Sequence, residues 1–180
     1  MVDVATVPWL HNAAKKEAKK DKLKNADIIG DLAAIVAIAI LIIYFVNSQT
    51  SNSGFFTAKF GGLEAFFFYA MAIAGLFPPA LRLVLRRRNV VRPVEIVNSA
   101  FAIVSIIYLL GVFPFDFTHL ASPLPSIQPL VGWLIDDVAK MLMTLGVLLT
   151  TFITVWTFVI YLAVRKVLEE QTGAGAVKQG

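Results

Sequence analysis

The best candidates for side-chain chemistry in this sequence are Asp116 and His119, three residues apart in the stretch PFDFTHL. Two such residues supply two metal ligands or a hydrogen-bonded loop pair. A zinc site needs a third or fourth ligand, and Asp136 or Asp137 approaches only if the loop folds back. The pair is therefore expected to serve the loop, with metal binding and an outer-side enzyme site as the sharper alternatives. The only other histidine is His11. Both histidines lie outside the apolar runs, so two axial haem ligands on facing helices are excluded. Cysteine is absent, which removes disulfides, thiolate metal sites and a thiol nucleophile. No serine–histidine–carboxylate order, HExxH, Walker loop or dinucleotide glycine motif occurs. No catalytic residue, metal or cofactor is assigned.

A second candidate is a stripe of weakly polar residues. Gly146, Thr150, Thr154, Thr157 and Tyr161 recur at three- and four-residue steps, which puts them on one face of a helix. Such a face lines a solute path or a lipid or quinone groove, or it is the surface where helices pack closely; packing is the plainer expectation. Gly30 with Ala34, and Ala70 with Ala74, repeat the small-residue spacing. A third candidate is the basic run Arg86, Arg87, Arg88 and Arg92. It suits lipid phosphates or an acidic partner, although a purely topological role explains it as well. The carboxylates Asp27, Asp31, Glu64, Glu95, Asp136 and Asp137 all fall near the ends of apolar runs. There they are expected to cap helices or pair with nearby Arg and Lys, short of the membrane midplane where a proton-coupled carrier keeps an acid.

The elements that position these residues follow from composition. The chain has 180 residues, 58% hydrophobic and 16% charged, with a mean hydropathy of +0.75. Soluble domains average about 45–50% apolar and about 25% charged. The surplus must face something other than water, which excludes an ordinary soluble enzyme, a disordered tail and a disulfide scaffold. A helix needs about 20 largely apolar residues to cross a bilayer. Four runs qualify, over 28–46, 62–85, 93–113 and 138–164. The expected fold is all-α, an integral four-helix membrane bundle. Pro78 and Pro79 should kink or end the second helix, Arg82 should snorkel out of the apolar layer, and Pro93 should open the third helix in its first turn.

Orientation follows from the basic residues. Fourteen of the sixteen Lys and Arg flank one side of the spans, and only Lys59 and Lys140 lie on the other. Both termini are thus expected to be cytoplasmic in a multi-pass cell-membrane protein. Residues 1–27 read as a basic N-terminal segment, helical from Pro8. It is expected either to be solvated or to anchor Trp9 and Leu10 among lipid headgroups. It lacks the order of a signal peptide. Residues 28–165 form the membrane domain, and 166–180 a flexible tail. Phe55, Phe56, Phe60, Phe66, Phe67 and Phe68 should form an aromatic belt at the outer interface. The Pro-rich outer loop 114–137 is too apolar for free solution and should lie on the interface or fold back over the bundle.

These features favour a non-catalytic membrane subunit or scaffold, packed against other membrane proteins or its own copies and surrounded by lipid, within a larger redox or transport assembly. The positive charge lies beside apolar runs, so nucleic acid is not an expected partner. A small oligomeric transporter or channel lined by the threonines is one alternative; a lipid- or quinone-handling enzyme with an outer-side site is the other.

Overall fold

The computed structural model describes residues 8–18 and 21–177, with side chains through Val167. Lys19, Lys20, Lys178 and the residues before Pro8, all counted in the reading above, lie outside the described residues. The described residues form seven α-helices in order: α1 Pro8–Ala18, α2 Asn25–Thr50, α3 Gly62–Ala74, α4 Phe77–Leu85, α5 Arg88–Val112, α6 Gln128–Val131 and α7 Asp136–Val177. Among the described residues there is no strand beyond two isolated bridges. Four stretches are long and apolar enough to cross a membrane: Asn25–Thr50, Gly62–Leu85, Arg88–Val112 and Asp136–Val167.

Local chemistry sets the helix ends. The Asp27 carboxylate accepts the Lys24 backbone N–H at 2.9 Å, satisfying an N–H that the start of α2 would leave bare. Glu64 does the same for the Gly61 N–H at the start of α3. Pro93 does not open the third long helix. α5 begins at Arg88, five residues earlier, and Pro93 lies inside it. The reason is a cap supplied from elsewhere in the chain. Asp21 accepts the Arg88 N–H on its backbone carbonyl and the Asn89 N–H on its carboxylate, while Leu23 N–H donates to the Arg86 carbonyl. The second long helix is interrupted for two residues, which keep right-handed dihedrals. Pro78 and Pro79 carry no N–H for the carbonyls of Ala74 and Gly75, and α3 gives way to α4 at Gly75 and Leu76.

The long helices pack as a row. α2 lies against α3 and α4, these lie against α5, and α5 lies against α7. An up-and-down bundle normally closes by packing its first helix on its last. Here α2 and α7 make no extended contact, so a seam stays open between them. α1 lies along α7. Its Leu10 and Ala14 are buried with Ile160, Ala163, Val164 and Val167, and Trp9 stacks on Trp156 with ring centroids 6.1 Å apart. Of the two residues expected to reach lipid headgroups, Leu10 thus packs on α7, while Trp9 stays 59% exposed.

The aromatic end is the best-packed part of the chain. Phe55, Leu109, Phe115 and Leu120 are buried there, surrounded by Phe45, Phe56, Phe60, Phe67 and Phe68 among others. Most of the expected belt is therefore an interior plug, and only Phe66 of that set is strongly exposed. Backbone bonds hold the two loops over it: Thr57 N–H donates to the Pro114 carbonyl at 3.0 Å and Asp116 N–H to the Phe55 carbonyl at 2.7 Å. Tyr44 adds a hydroxyl hydrogen bond to the Leu120 carbonyl. Phe55 is 2% exposed and Phe152, on α7, is 71% exposed. Phe55→Ala is expected to lower stability by about 3–5 kcal/mol through lost burial and a residual cavity. Phe152→Ala should change it by no more than about 0.5 kcal/mol, as for an exposed position. Unfolding in detergent or bicelles measures both.

Candidate functional site

The polar chemistry gathers at the basic end. Asp31 lies six residues into α2, about 9 Å along its axis at 1.5 Å per residue. Glu95 lies seven residues into α5, about 10 Å by the same rise. Between them comes Arg82 of α4. Its Nε donates to Asp31 Oδ1 and Oδ2 at 3.0 and 3.1 Å, its Nη2 donates to Asp31 Oδ1 at 2.6 Å, and its Nη1 donates to Glu95 Oε1. The guanidinium thus does not snorkel outward. Two carboxylates at its own depth offer it bidentate, charge-assisted partners, and the Asp31 side chain is only 10% exposed.

The arginines of the basic run divide into two pairs. Arg88 meets Asp27 at 2.5 Å, and Arg92 meets Glu17 of α1 at 2.8 Å. Arg86 and Arg87 are exposed, with Asp21 at 4.0 Å from Arg87. Of the four residues considered for lipid or partner contact, two are thus engaged within the chain and two face outward. Arg92 Nη1 and Asn89 Oδ1 are buried without a hydrogen-bond partner, so polar satisfaction is least complete where α1 meets α5.

Two clefts meet at this network. The larger, about 760 Å³, lies between α1 and the basic ends of the long helices. The smaller, about 370 Å³, continues inward and is walled by all four long helices. Arg82, Glu95 and Thr157 line both. Asn98, Ser99 and Thr154 line the inner cleft, together with Gly75, Pro78 and Pro79 at the broken helix. From the threonine face of α7 the structure thus brings Thr154 and Thr157 to the inner cleft. Thr154 spends its hydroxyl proton on the Thr150 carbonyl at 2.7 Å. Gly146, Thr150 and Tyr161 are half-buried and line neither cleft.

Asp116 and His119 stand at the opposite end. His119 Nδ1 is 3.1 Å from Asp116 Oδ2, and Asp116 accepts the Thr118 N–H at 3.0 Å and the Thr118 hydroxyl. Asp136 caps the same turn by accepting the Phe117 N–H at 2.8 Å. Gly54 has φ +92°, and its backbone passes so close that an added Cβ would come within 3.0 Å of the His119 ring. Among the described residues no group of three or more His, Cys, Asp or Glu could hold a metal ion. The Thr118 hydrogen bonds, with His119 alongside, hold the Asp116 carboxyl below its usual range.

The residues that sequence reading left out of its site are Asp31, Arg82, Glu95, Asn98 and Ser99. Two signals for them were present: opposite charges at similar distances from the basic loops on three successive helices, and Glu95, Asn98 and Ser99 at the three- and four-residue steps of one helix face. Comparison with protein-family models, with curated proteins and with solved structures finds no match.

Arg82→Met strands two carboxylates and is expected to cost about 3–5 kcal/mol. The triple change Arg82→Met, Asp31→Leu, Glu95→Leu should be milder, because no bare charge remains; thermal unfolding of both decides. Asp116 has the opposite pH signature to a cation. Its folded pKa is depressed, so its contribution is present above the unfolded value of about 3.9 and is lost as pH falls through the folded one. Asp116→Asn should therefore flatten the acid limb of melting temperature against pH below about pH 4 and leave the neutral region parallel to wild type.

Proposed function

We propose that this chain is a small multi-pass membrane transporter, set in the cell membrane with both termini cytoplasmic, whose solute enters from the basic end. The observation that carries this reading is the inner cleft. It is walled by four membrane-length helices, carries polar side chains on three of them, and adjoins the interruption in one of these. Polar groups facing hydrocarbon are costly unless they line a path for water or solute, and discontinuous helices mark binding sites in many transporters. The phenylalanine plug at the far end fits the same reading, since a carrier holds one side closed while the other is open.

The absence of cysteine makes the test direct. Single cysteines at Ser99 and Thr157 are expected to react with a membrane-impermeant thiol reagent added from the basic side, and more slowly from the opposite side as the protein cycles. A cysteine at lipid-facing Phe152 should stay unreactive. Reaction from neither side at Ser99 and Thr157 would refute transport.

One observation favours a second reading, a subunit that packs against partner membrane proteins or its own copies. α2 stands at the end of the row and leaves Ile29, Leu32, Val36 and Ile40 exposed around Ala33 and Ala37, a small-residue face of the kind helices use to associate. Mild extraction followed by mass spectrometry should then recover a stoichiometric partner or a homo-oligomer, and a lone monomer counts against it.

A further inference from the structure

The transport reading leaves open what enters the cleft, and the charges there narrow it. Asp31 and Glu95 together carry two negative charges, and Arg82 offsets one. Arg88 is taken up by Asp27 and Arg92 by Glu17. Within the Asp31–Arg82–Glu95 group one negative charge therefore stays without an ion pair about two helical turns inside the row, where an unpaired ion is expensive. Lys16, the other cation that lines the larger cleft, is exposed and pairs with neither acid among the described residues. The charge can be located. Glu95 Oε1 accepts from Arg82. Glu95 Oε2 accepts no hydrogen bond among the described residues, and its side chain, 26% exposed, lines both clefts.

Three uncharged polar groups that line the inner cleft with Glu95 are uncommitted. Asn98 and Ser99 follow Glu95 on the same face of α5, and Thr157 comes from α7 across the cleft. None of the three spends its side chain on a hydrogen bond among the described residues. Each offers an oxygen with free lone pairs. One carboxylate oxygen with neutral amide and hydroxyl oxygens is a set for a single positive charge. A divalent ion draws several carboxylates, and here the second carboxylate is taken by Arg82.

Resting on the transport reading, we infer that Glu95 Oε2, with Asn98, Ser99 and Thr157, binds a monovalent cation, an alkali ion or a small ammonium, where the two clefts meet. Bound there, the cation neutralises the remaining charge. Asp31 and Arg82 act as positioning residues: the bidentate pair holds the guanidinium that fixes one Glu95 oxygen and leaves the other turned to the solute.

The test uses Thr154→Cys as a reporter in the full-length, otherwise cysteine-free chain, labelled with an uncharged water-soluble maleimide at fixed pH and ionic strength. The rate in N-methylglucamine chloride is compared with rates in sodium, potassium and methylammonium chloride. At least one of the three is expected to slow labelling about tenfold with saturation, the factor 1 + [L]/Kd for a ligand at about ten times its dissociation constant. The order among them separates an alkali ion from an ammonium. Glu95→Gln should abolish the protection while labelling in N-methylglucamine chloride stays at the parent rate, which shows the cleft intact; Glu95→Asp should restore part of it. Ready labelling with no protection by any cation overturns the cation site and leaves the transport reading standing. Protection that survives Glu95→Gln overturns it too. A reporter that is unreactive in every salt overturns both.

Discussion

Arg82 lies between Asp31 and Glu95, and the cost of leaving any of the three bare in hydrocarbon binds α2, α4 and α5 together. Hydrophobic burial cannot do this at the lipid-facing surface, because lipid tails are as apolar as the side chains they touch. The ion network therefore does at the basic end what ring packing does at the other. It fixes three helices in register. The interruption at Gly75 and Leu76 lies within two turns of the arginine that meets the two acids.

The two ends contrast in chemistry and in closure. At the aromatic end, rings from α2, α3, α5 and both loops fill the space between the helices, and backbone bonds between the loops seal it. At the basic end, salt bridges hold the helices apart as much as together, and clefts remain. α1 belongs to this second region. It is fastened to α7 by Leu10, Ala14 and the Trp9–Trp156 stack, and to α5 by the Glu17–Arg92 pair. Polar side chains thus line the clefts at this end.

Much of this layout was legible in the sequence. The lengths of the apolar runs gave the four long helices, and the proline pair marked the break in the second. What sequence could not supply was long-range pairing. Pro93 looked like a helix start because nothing local showed that Asp21 would cap Arg88 and Asn89 from a distant segment. Arg82 looked like a snorkelling residue because its two acids lie 51 and 13 positions away. The phenylalanines looked like an interfacial belt because composition does not tell a ring facing lipid from one facing another ring. The threonine face was visible as a stripe, yet only the packing of α7 on α5 separates Thr154 and Thr157, at the cleft, from Thr150 and Tyr161.

The direction in which Arg82 points decides the account, and solid-state NMR on protein labelled in bilayers reads it without any mutation. Dipolar recoupling between the Arg82 guanidinium nitrogens and the Asp31 and Glu95 carboxyl carbons should show direct contact, with no coupling from those nitrogens to lipid phosphorus. Strong nitrogen–phosphorus coupling with none to either carboxyl carbon would place the guanidinium in the headgroups and contradict the account.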